Sequence, residues 1–433
     1  MLRVSLLMVL ILILSPLHAD EEMEFLEEDI EFDATEIIQK TSSNTSQLLN
    51  KSNRLSVGYQ LGSNVEKKLK IRAHQLNLRY RWDKLLTNSL FAKVDAKLIA
   101  LGPNDASLSE GKNAELDWRV NNMSVQWSHQ QIATTVGFQS IVLGELDTLP
   151  LNDLLTPWDY SQQAFTNPED ARVGQVAIDA QWFLKPNSSM RFIFVPAPDV
   201  NRYPAAGLTQ LFALADDISI SETFPYDDKA WEAVIAAKRS FKSMDVNIIA
   251  GRLHTNDPVL IFISDDRINA DYPAFETAGL SINYNRENFL WKLEGNFQNS
   301  LPLSGETLDH SDKIAIGAGF DYDANGLYQL TFETSYSKLL DPPALSLGLS
   351  SSTQQSALRI SKNIMNELIN LVYFVSYDWR YSDQIHSTYA SYKITDRWQV
   401  SASLSLFHIP DDDSPMRIAD GWDQFTLTVV NDF

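Results

Sequence analysis

From Asn53 onward, apolar and polar side chains alternate with a period of two, and the polar half is too polar to form a protein core. Trp398, Val400, Ala402, Leu404 and Leu406 alternate with Gln399, Ser401, Ser403 and Ser405. Phe289, Trp291, Leu293, Gly295 and Phe297 alternate with Lys292, Glu294, Asn296 and Gln298. Ile314, Ile316, Ala318, Phe320 and Tyr322 form another apolar face, followed by a tight Asp323-Ala324-Asn325-Gly326 turn. The returning strand brings Tyr328, Leu330, Phe332, Thr334 and Tyr336, backed by Gln329, Thr331, Glu333, Ser335 and Ser337. In a soluble sandwich one face of each strand packs on a second sheet and stays apolar, and here both faces cannot be core. The pattern predicts a single transmembrane antiparallel β-barrel, apolar toward lipid and wet inside.

The segments number about 18, each long enough for the roughly 9 to 11 residues of a tilted spanning strand. They begin near 53, 68, 88, 115, 131, 171, 189, 228, 243, 275, 287, 312, 327, 353, 367, 385, 397 and 421. The connections alternate as in outer-membrane barrels, which have short periplasmic turns and longer outer loops. Short turns are expected at 83–87, 129–131, 185–188, 240–243, 285–287, 323–326, 362–366 and 395–397. Long outer connections are expected at 141–170, 196–227, 255–274, 299–311, 338–352 and 409–420, with short outer links near 62–67 and 380–384. The apolar run Val259 to Ile263 reads either as a further strand or as a hairpin within a loop, which leaves 16 or 20 strands open.

Both ends of the sequence point to the outer membrane of a Gram-negative bacterium. Phe425, Leu427, Val429 and Phe433 share one face of the last strand, interrupted by Asn431. A terminal aromatic such as Phe433 is the expected signal to the barrel assembly machinery, and lipid is the expected surrounding partner. Residues 1–19, with Arg3 before an apolar run from Val4 to Leu14, read as a secretory signal too short to span as a helix. Residues 20–52 form a separate acidic and polar segment: nine acids and no base lie between Asp20 and Asp33. A solvated tail, a periplasmic partner contact and a partial plug are the readings of that segment; residues 53–433 are the barrel. The net charge of −21 argues against nucleic acid, which binds through phosphate neutralisation. With no cysteine, disulfides and Cys-ligated metals are excluded.

The most distinctive local sequence runs Val136-Gly137-Phe138-Gln139 to Gly144-Glu145-Leu146-Asp147, then Asn152-Asp153 and Pro157-Trp158-Asp159. With Ala177 to Leu184, Arg191 to Asp199, Trp231 to Val234 and Gly251-Arg252-Leu253, it resembles a family of Gram-negative outer-membrane proteins related to the alginate-export porins. That family has Arg where Phe138 stands and Trp where Leu143 stands. The resemblance covers roughly 136 to 260 and implies a single-chain barrel with a pore of unassigned substrate; it supplies no catalytic residue.

Reading the charged positions opposite the lipid face gives the candidate pore lining: Arg79 and Arg81, then Lys93, Asp95 and Lys97, then Asp117 and Arg119. Glu145, Asp147, Asp153 and Asp159 in the longest loop are candidates for a constriction, and if that loop enters the lumen the two sets set up a transverse field. The competing reading is that these charges only hydrate the wall and pair with one another. The seven histidines lack metal-site spacing, and neither His310-Ser311 nor His386-Ser387 can act as a pair, because neighbours on a strand point to opposite faces. Asp411 to Asp413, Asp216-Asp217 and Asp265-Asp266 are loop acids of a type that holds calcium, although solvated acids are commoner. Aromatics near strand ends, among them Trp82, Trp118, Trp291, Trp379 and Trp398, read as interface girdles. The expected function is a porin-like channel for passive passage of small polar or anionic solutes, with no cofactor and no enzymatic activity. The alternatives are an outer-membrane lipid or surface hydrolase, and a closed barrel serving an export or envelope complex.

Overall fold

The computed structural model describes residues 53–65, 71–102, 115–160, 171–202, 219–223, 230–264, 267–340, 342, 350–411, 413–414, 416–419 and 423–433. The expected signal, the 20–52 segment, Asp216-Asp217 and Asp265-Asp266 lie outside these residues.

The strands are β1 (Asn53–Asn64), β2 (Ile71–Thr87), β3 (Leu90–Leu101), β4 (Glu115–His129), β5 (Ile132–Gln139), β6 (Gln175–Lys185) and β7 (Ser188–Val195). Then come β8 (Ser219–Thr223), β9 (Glu232–Ser240), β10 (Met244–His254), β11 (Val259–Ser264), β12 (Arg267–Asp271), β13 (Ala274–Arg286) and β14 (Phe289–Leu303). The chain finishes with β15 (Asp309–Asp323), β16 (Gln329–Leu340), β17 (Ser352–Ile364), β18 (Ile369–Asp378), β19 (Gln384–Lys393), β20 (Trp398–His408) and β21 (Gln424–Asp432). Eighteen of them form one sheet, each antiparallel to its chain neighbour, and β1 closes the ring by pairing with β21 from Ser56–Asp432 to Asn64–Gln424. Closure leaves no unpaired edge, which is the condition for a sheet to span lipid.

Val259 to Ile263 does not enter the ring. As β11 it pairs with β12, which pairs in parallel with β8, making a separate three-stranded sheet from the two loops that flank β9 and β10. The count of 18 therefore holds.

Alternation fixes the two faces. On β14 Trp291 and Leu293 are exposed on the outside while Lys292, Glu294, Asn296 and Gln298 are buried inside; on β15 Ile314 and Ile316 face out while Ala315 faces in. Aromatics gather near the short turns, where Phe289 stacks on Trp291 and both lean on Phe320. At the Asp323 turn, Asn325 and Gly326 adopt positive φ (53° and 78°), and the Gly326 amide donates to Asp323 Oδ1 at 2.7 Å. An Asn-Gly pair adopts this left-handed geometry at little cost.

Several boundaries differ from expectation, among them β6, which starts at Gln175 rather than near 171, and β9, which starts at Glu232 rather than near 228; two others have a clear local cause. The first short turn is at 88–89, not 83–87, because Asp83, Lys84 and Leu85 still pair with Lys93, Ala92 and Phe91 before a bulge at Thr87. The outer link expected at 299–311 narrows to 304–308: β14 bulges between Gln298 and Leu301, with Ser300 at φ 53°, and then resumes pairing through Leu303. A bulge lets a strand bend without ending, and residue periodicity alone does not show it.

Candidate permeation path and its inner loop

After β5 the chain turns into the barrel. The stem of the loop is closed by Thr156, whose hydroxyl accepts from the Ile141 amide (3.0 Å) and donates to the Ile141 carbonyl (2.7 Å). Ile141, Leu143 and Leu155 pack on an apolar part of the inner wall made by Ala177, Ile193, Val195, Val234, Ala236, Ile249, Leu253 and Phe275. An apolar inner wall cannot line a water channel, and it explains why a loop segment follows Gln139 with three aliphatic residues that bury. Gln175 Nε2 donates to the Leu155 carbonyl (2.8 Å), and Asn256 Nδ2 donates to that of Leu154 (2.9 Å).

The tip of the loop is held by two carboxylates on the wall. Glu294 of β14 accepts from the backbone amides of Glu145, Leu146 (3.1 Å), Leu151 (2.9 Å) and Asn152 (3.2 Å). Glu333 of β16 accepts from the amides of Asp147 (2.8 Å), Thr148 (2.9 Å) and Leu149 (2.9 Å), and from the Thr148 hydroxyl (2.5 Å). Both glutamates are 0% exposed. A buried carboxylate needs such donors, and bonds to a charged acceptor are stronger than neutral ones. Asn152 adds a third anchor: its Nδ2 donates to Ser281 Oγ (2.9 Å), and its Oδ1 accepts from Asn296 (3.0 Å). Gly279 makes room for it, since a Cβ there would lie 2.1 Å from Asn152 Oδ1.

The candidate constriction acids are all engaged. Glu145 accepts from Asn283 Nδ2 (2.6 Å). Asp147 lies 2.6 Å from Lys292, which also bridges to Asp321 at 2.7 Å, yet the Asp147 side chain stays 68% exposed. Asp153 is buried against Arg172 (2.9 Å), and Asp159 is buried against Arg119. Burial holds the Asp153 carboxyl above its usual range, opposed by the charge and hydrogen bonds of Arg172.

The candidate lining residues share one face of β2, β3 and β4, and strand register aligns them. Arg79, Lys97 and Arg119 lie in one row, and Arg81 and Asp95 in the next. Arg79 grips Asp95 with two bonds (2.8 and 2.7 Å), and Arg119 reaches Asp117 at 3.1 Å. Beside them Arg54 of β1 pairs with Asp432 of β21, and Ser56 Oγ donates to Asp432 at 2.5 Å. Among the described residues Arg81 and Lys93 have no ion pair, and the Nε of Arg81 is buried without a hydrogen-bond partner. In the ring, β2 and β14 are separated by half the strands, so this basic wall faces the wall that holds the inner loop.

Sequence reasoning assigned no role to Arg54, Lys292, Glu294, Glu333, Asn152 or Arg359, the last an inward base of β17 with no ion pair among the described residues. His386 and Ser387 do not meet: His386 Nδ1 is 2.9 Å from the Tyr373 hydroxyl, and Ser387 bonds with Ser405 (3.1 Å). Among the described residues no group of three or more His, Asp or Glu is arranged to hold a metal.

No family model matches the sequence, and no curated protein matches it. Solved structures do. OccAB1 of Acinetobacter baumannii matches with a TM-score of 0.53 at 8% identity, over 88% of this chain and 95% of that one. The outer membrane protein OpdK of Pseudomonas aeruginosa matches with a TM-score of 0.52 at 9% identity, over 88% of this chain and 98% of that one. OpdK solved with vanillate matches with a TM-score of 0.50 at 9% identity, over 88% and 97%. The chain has the fold of an outer-membrane porin. At this identity the likeness is one of architecture, and the side chains that line the path are this chain's own.

Proposed function

We propose that the protein is an outer-membrane channel for passive passage of small anionic or polar solutes. The observation that carries this reading is the pair Arg81 and Lys93: bases on the inner wall with no ion pair, facing the loop pinned by Glu294 and Glu333. A cation without a partner beside a water-filled path attracts an anion, and a constriction strengthens that attraction by excluding water. Asp147, exposed on the loop, supplies the opposite sign across the path. Asp153 and Asp159 contribute little to such a field, since each is buried against an arginine.

A monocarboxylate is the solute class that suits two spaced bases, and the vanillate found with OpdK is a small aromatic carboxylate. The relation to alginate-export barrels rests on the 136–260 motifs alone. Assembly through the strand ending at Phe433 and a periplasmic contact through 20–52 remain part of the same proposal.

Single-channel recording of the refolded protein in planar bilayers tests the reading. Stable open steps are expected. A folded barrel with no conductance overturns the channel and favours a closed barrel or an enzyme.

A further inference from the structure

Three inner bases without an ion pair among the described residues gather at one end of the barrel and along one arc of it. Arg81 of β2 stands across from Arg54, the second residue of β1; Lys93 lies near the start of β3; and Lys393 ends β19, inward because its neighbour Tyr392 is exposed on the outside. All three lie toward the short turns, the end that opens to the periplasm in an outer-membrane barrel. The chain enters β1 at the foot of this same wall, since Asn53 pairs with Trp82, beside Arg81. The inward acids of the arc from β19 through β1 to β3 do not cancel it. Asp432 is taken up by Arg54 and Ser56, Asp95 is gripped by Arg79, and Asp83, across from Lys93, has no ion pair among the described residues. The mouth at which the chain enters is therefore basic.

The chain carries the complementary charge next to this mouth. Nine acids and no base lie between Asp20 and Asp33, and residues 34–52 join that run to Asn53. Fully extended, 34–52 span about 60 Å at roughly 3.3 Å per residue, and as a coil they span about 25 Å. Either length exceeds the reach from Asn53 to Arg81 and Lys93, one and two strands away at about 5 Å per strand. We propose that the acidic run 20–33 seats in the short-turn mouth against Arg81, Lys93 and Lys393 and interrupts the path from within the chain. A partner tethered this closely has an effective concentration on the order of millimolar, so a contact too weak to hold a separate peptide is enough. The low-dielectric wall focuses the field of the bases into the mouth, and salt weakens it. Seating is intermittent: it closes the mouth while it lasts and leaves the open state as it was. The contact itself does not rest on the channel reading, although its effect on current does.

The test uses the refolded chain from Asp20 onward, with heat-modifiable mobility on gels showing that each variant retains its barrel. The protein has no cysteine, so introduced pairs report cleanly. Glu28→Cys is combined either with Gln126→Cys, inward on β4 across from Phe91, or with Val125→Cys, exposed toward lipid, and each pair is treated with a short bis-maleimide. An endoproteinase that cuts after Lys40 then releases residues 20–40 unless a cross-link holds them to the barrel. Retention several-fold higher with Q126C than with V125C, and reduced by molar potassium chloride and by Arg81→Gln with Lys93→Gln, is the expected result. Equal retention at the two positions, or retention that ignores both salt and the substitutions, overturns the proposal. Low retention at both also overturns it, and hands the segment to solvent or to a periplasmic partner. In planar bilayers, deletion of 20–33 is expected to remove closures several-fold, and a peptide of that sequence added on the short-turn side to restore them. Closures unchanged by the deletion overturn the interruption of the path. If neither form conducts, the channel reading falls while the cross-link still decides the contact.

Discussion

Two walls of the same barrel, half a ring apart, solve opposite problems. The wall of β13 to β16 carries buried Glu294, Glu333, Lys292 and Asn296, each bonded to the inner loop or to a neighbouring strand, although Asn296 Oδ1 and Asn283 Oδ1 are buried without a hydrogen-bond partner. The wall of β1 to β4 carries as many charges, but pairs only some of them: Arg79 with Asp95, Arg119 with Asp117 and Asp159, Arg54 with Asp432. The first wall is mostly engaged by protein, although Lys313 of β15 faces inward with no ion pair among the described residues. The second leaves Arg81 and Lys93 without an ion pair among the described residues. Buried polar groups are costly without partners, and in the proposed channel the first wall is the structural side of the lumen and the second the wet one.

Removing the carboxylates from the first wall should break this division most severely. Glu294→Ala with Glu333→Ala strands the amides of residues 145–149, 151 and 152. Each orphaned buried donor costs about 1–3 kcal/mol. The loop is expected to leave the wall, raising single-channel conductance several-fold and opening 145–152 to protease. Unchanged conductance in the folded double variant would show that the loop does not narrow the path.

Next in size is the charge on the second wall. Arg81→Glu with Lys93→Glu inverts the unpaired pair, and the reversal potential in a salt gradient is expected to move from anion toward cation preference. Arg79→Gln is expected to do less, because it removes a single positive charge, already paired with Asp95, where the double variant inverts two.

A smaller contrast comes from two glycines on adjacent strands. Gly279→Ala forces Asn152 aside, since its Cβ would lie 2.1 Å from Oδ1, and overpacking of this kind costs about 1–3 kcal/mol. Gly295→Ala meets nothing within 4 Å on the outer face and is expected to be neutral in thermal unfolding. Equal destabilisation of the two would remove Asn152 as an anchor.

The smallest effect concerns pH. Burial raises the Asp153 carboxyl above its unfolded value, so the folded chain holds that proton more tightly than the unfolded one. Its contribution to stability is full below the ordinary carboxylate pKa and is lost as pH rises through the raised value. Asp153→Asn is expected to flatten the fall of melting temperature over that window, and an unaltered slope would count against the assignment.

Much of the barrel was legible in the sequence because lipid and water impose period two on every strand. The number and order of the ring strands, with starts within about four residues of expectation, the tight turn at Asn325-Gly326 and the lipid-facing Trp291, Ile314 and Phe425 follow from that rule. Bulges were not legible: Ser300 looks like a loop residue until β14 is seen to resume at Leu301. Nor were the loop anchors. Glu294 bonds to amides more than 140 residues away, and an amide has no side-chain signature. The available signal was subtle: Glu294 and Glu333 are carboxylates at mid-strand inner positions where β20 has only Ser403 and Ser405. The candidate acids were found by type, but their type could not reveal that Asp153 and Asp159 would turn toward Arg172 and Arg119 while Asp147 stays exposed.

The most direct measurement is the zero-current potential of the wild-type channel across a potassium chloride gradient, repeated with Arg81→Glu and Lys93→Glu combined. A channel whose open side is the basic wall gives an anion-selective potential that collapses or reverses in the variant. Cation selectivity in the wild type, or a potential unmoved by both substitutions, contradicts it.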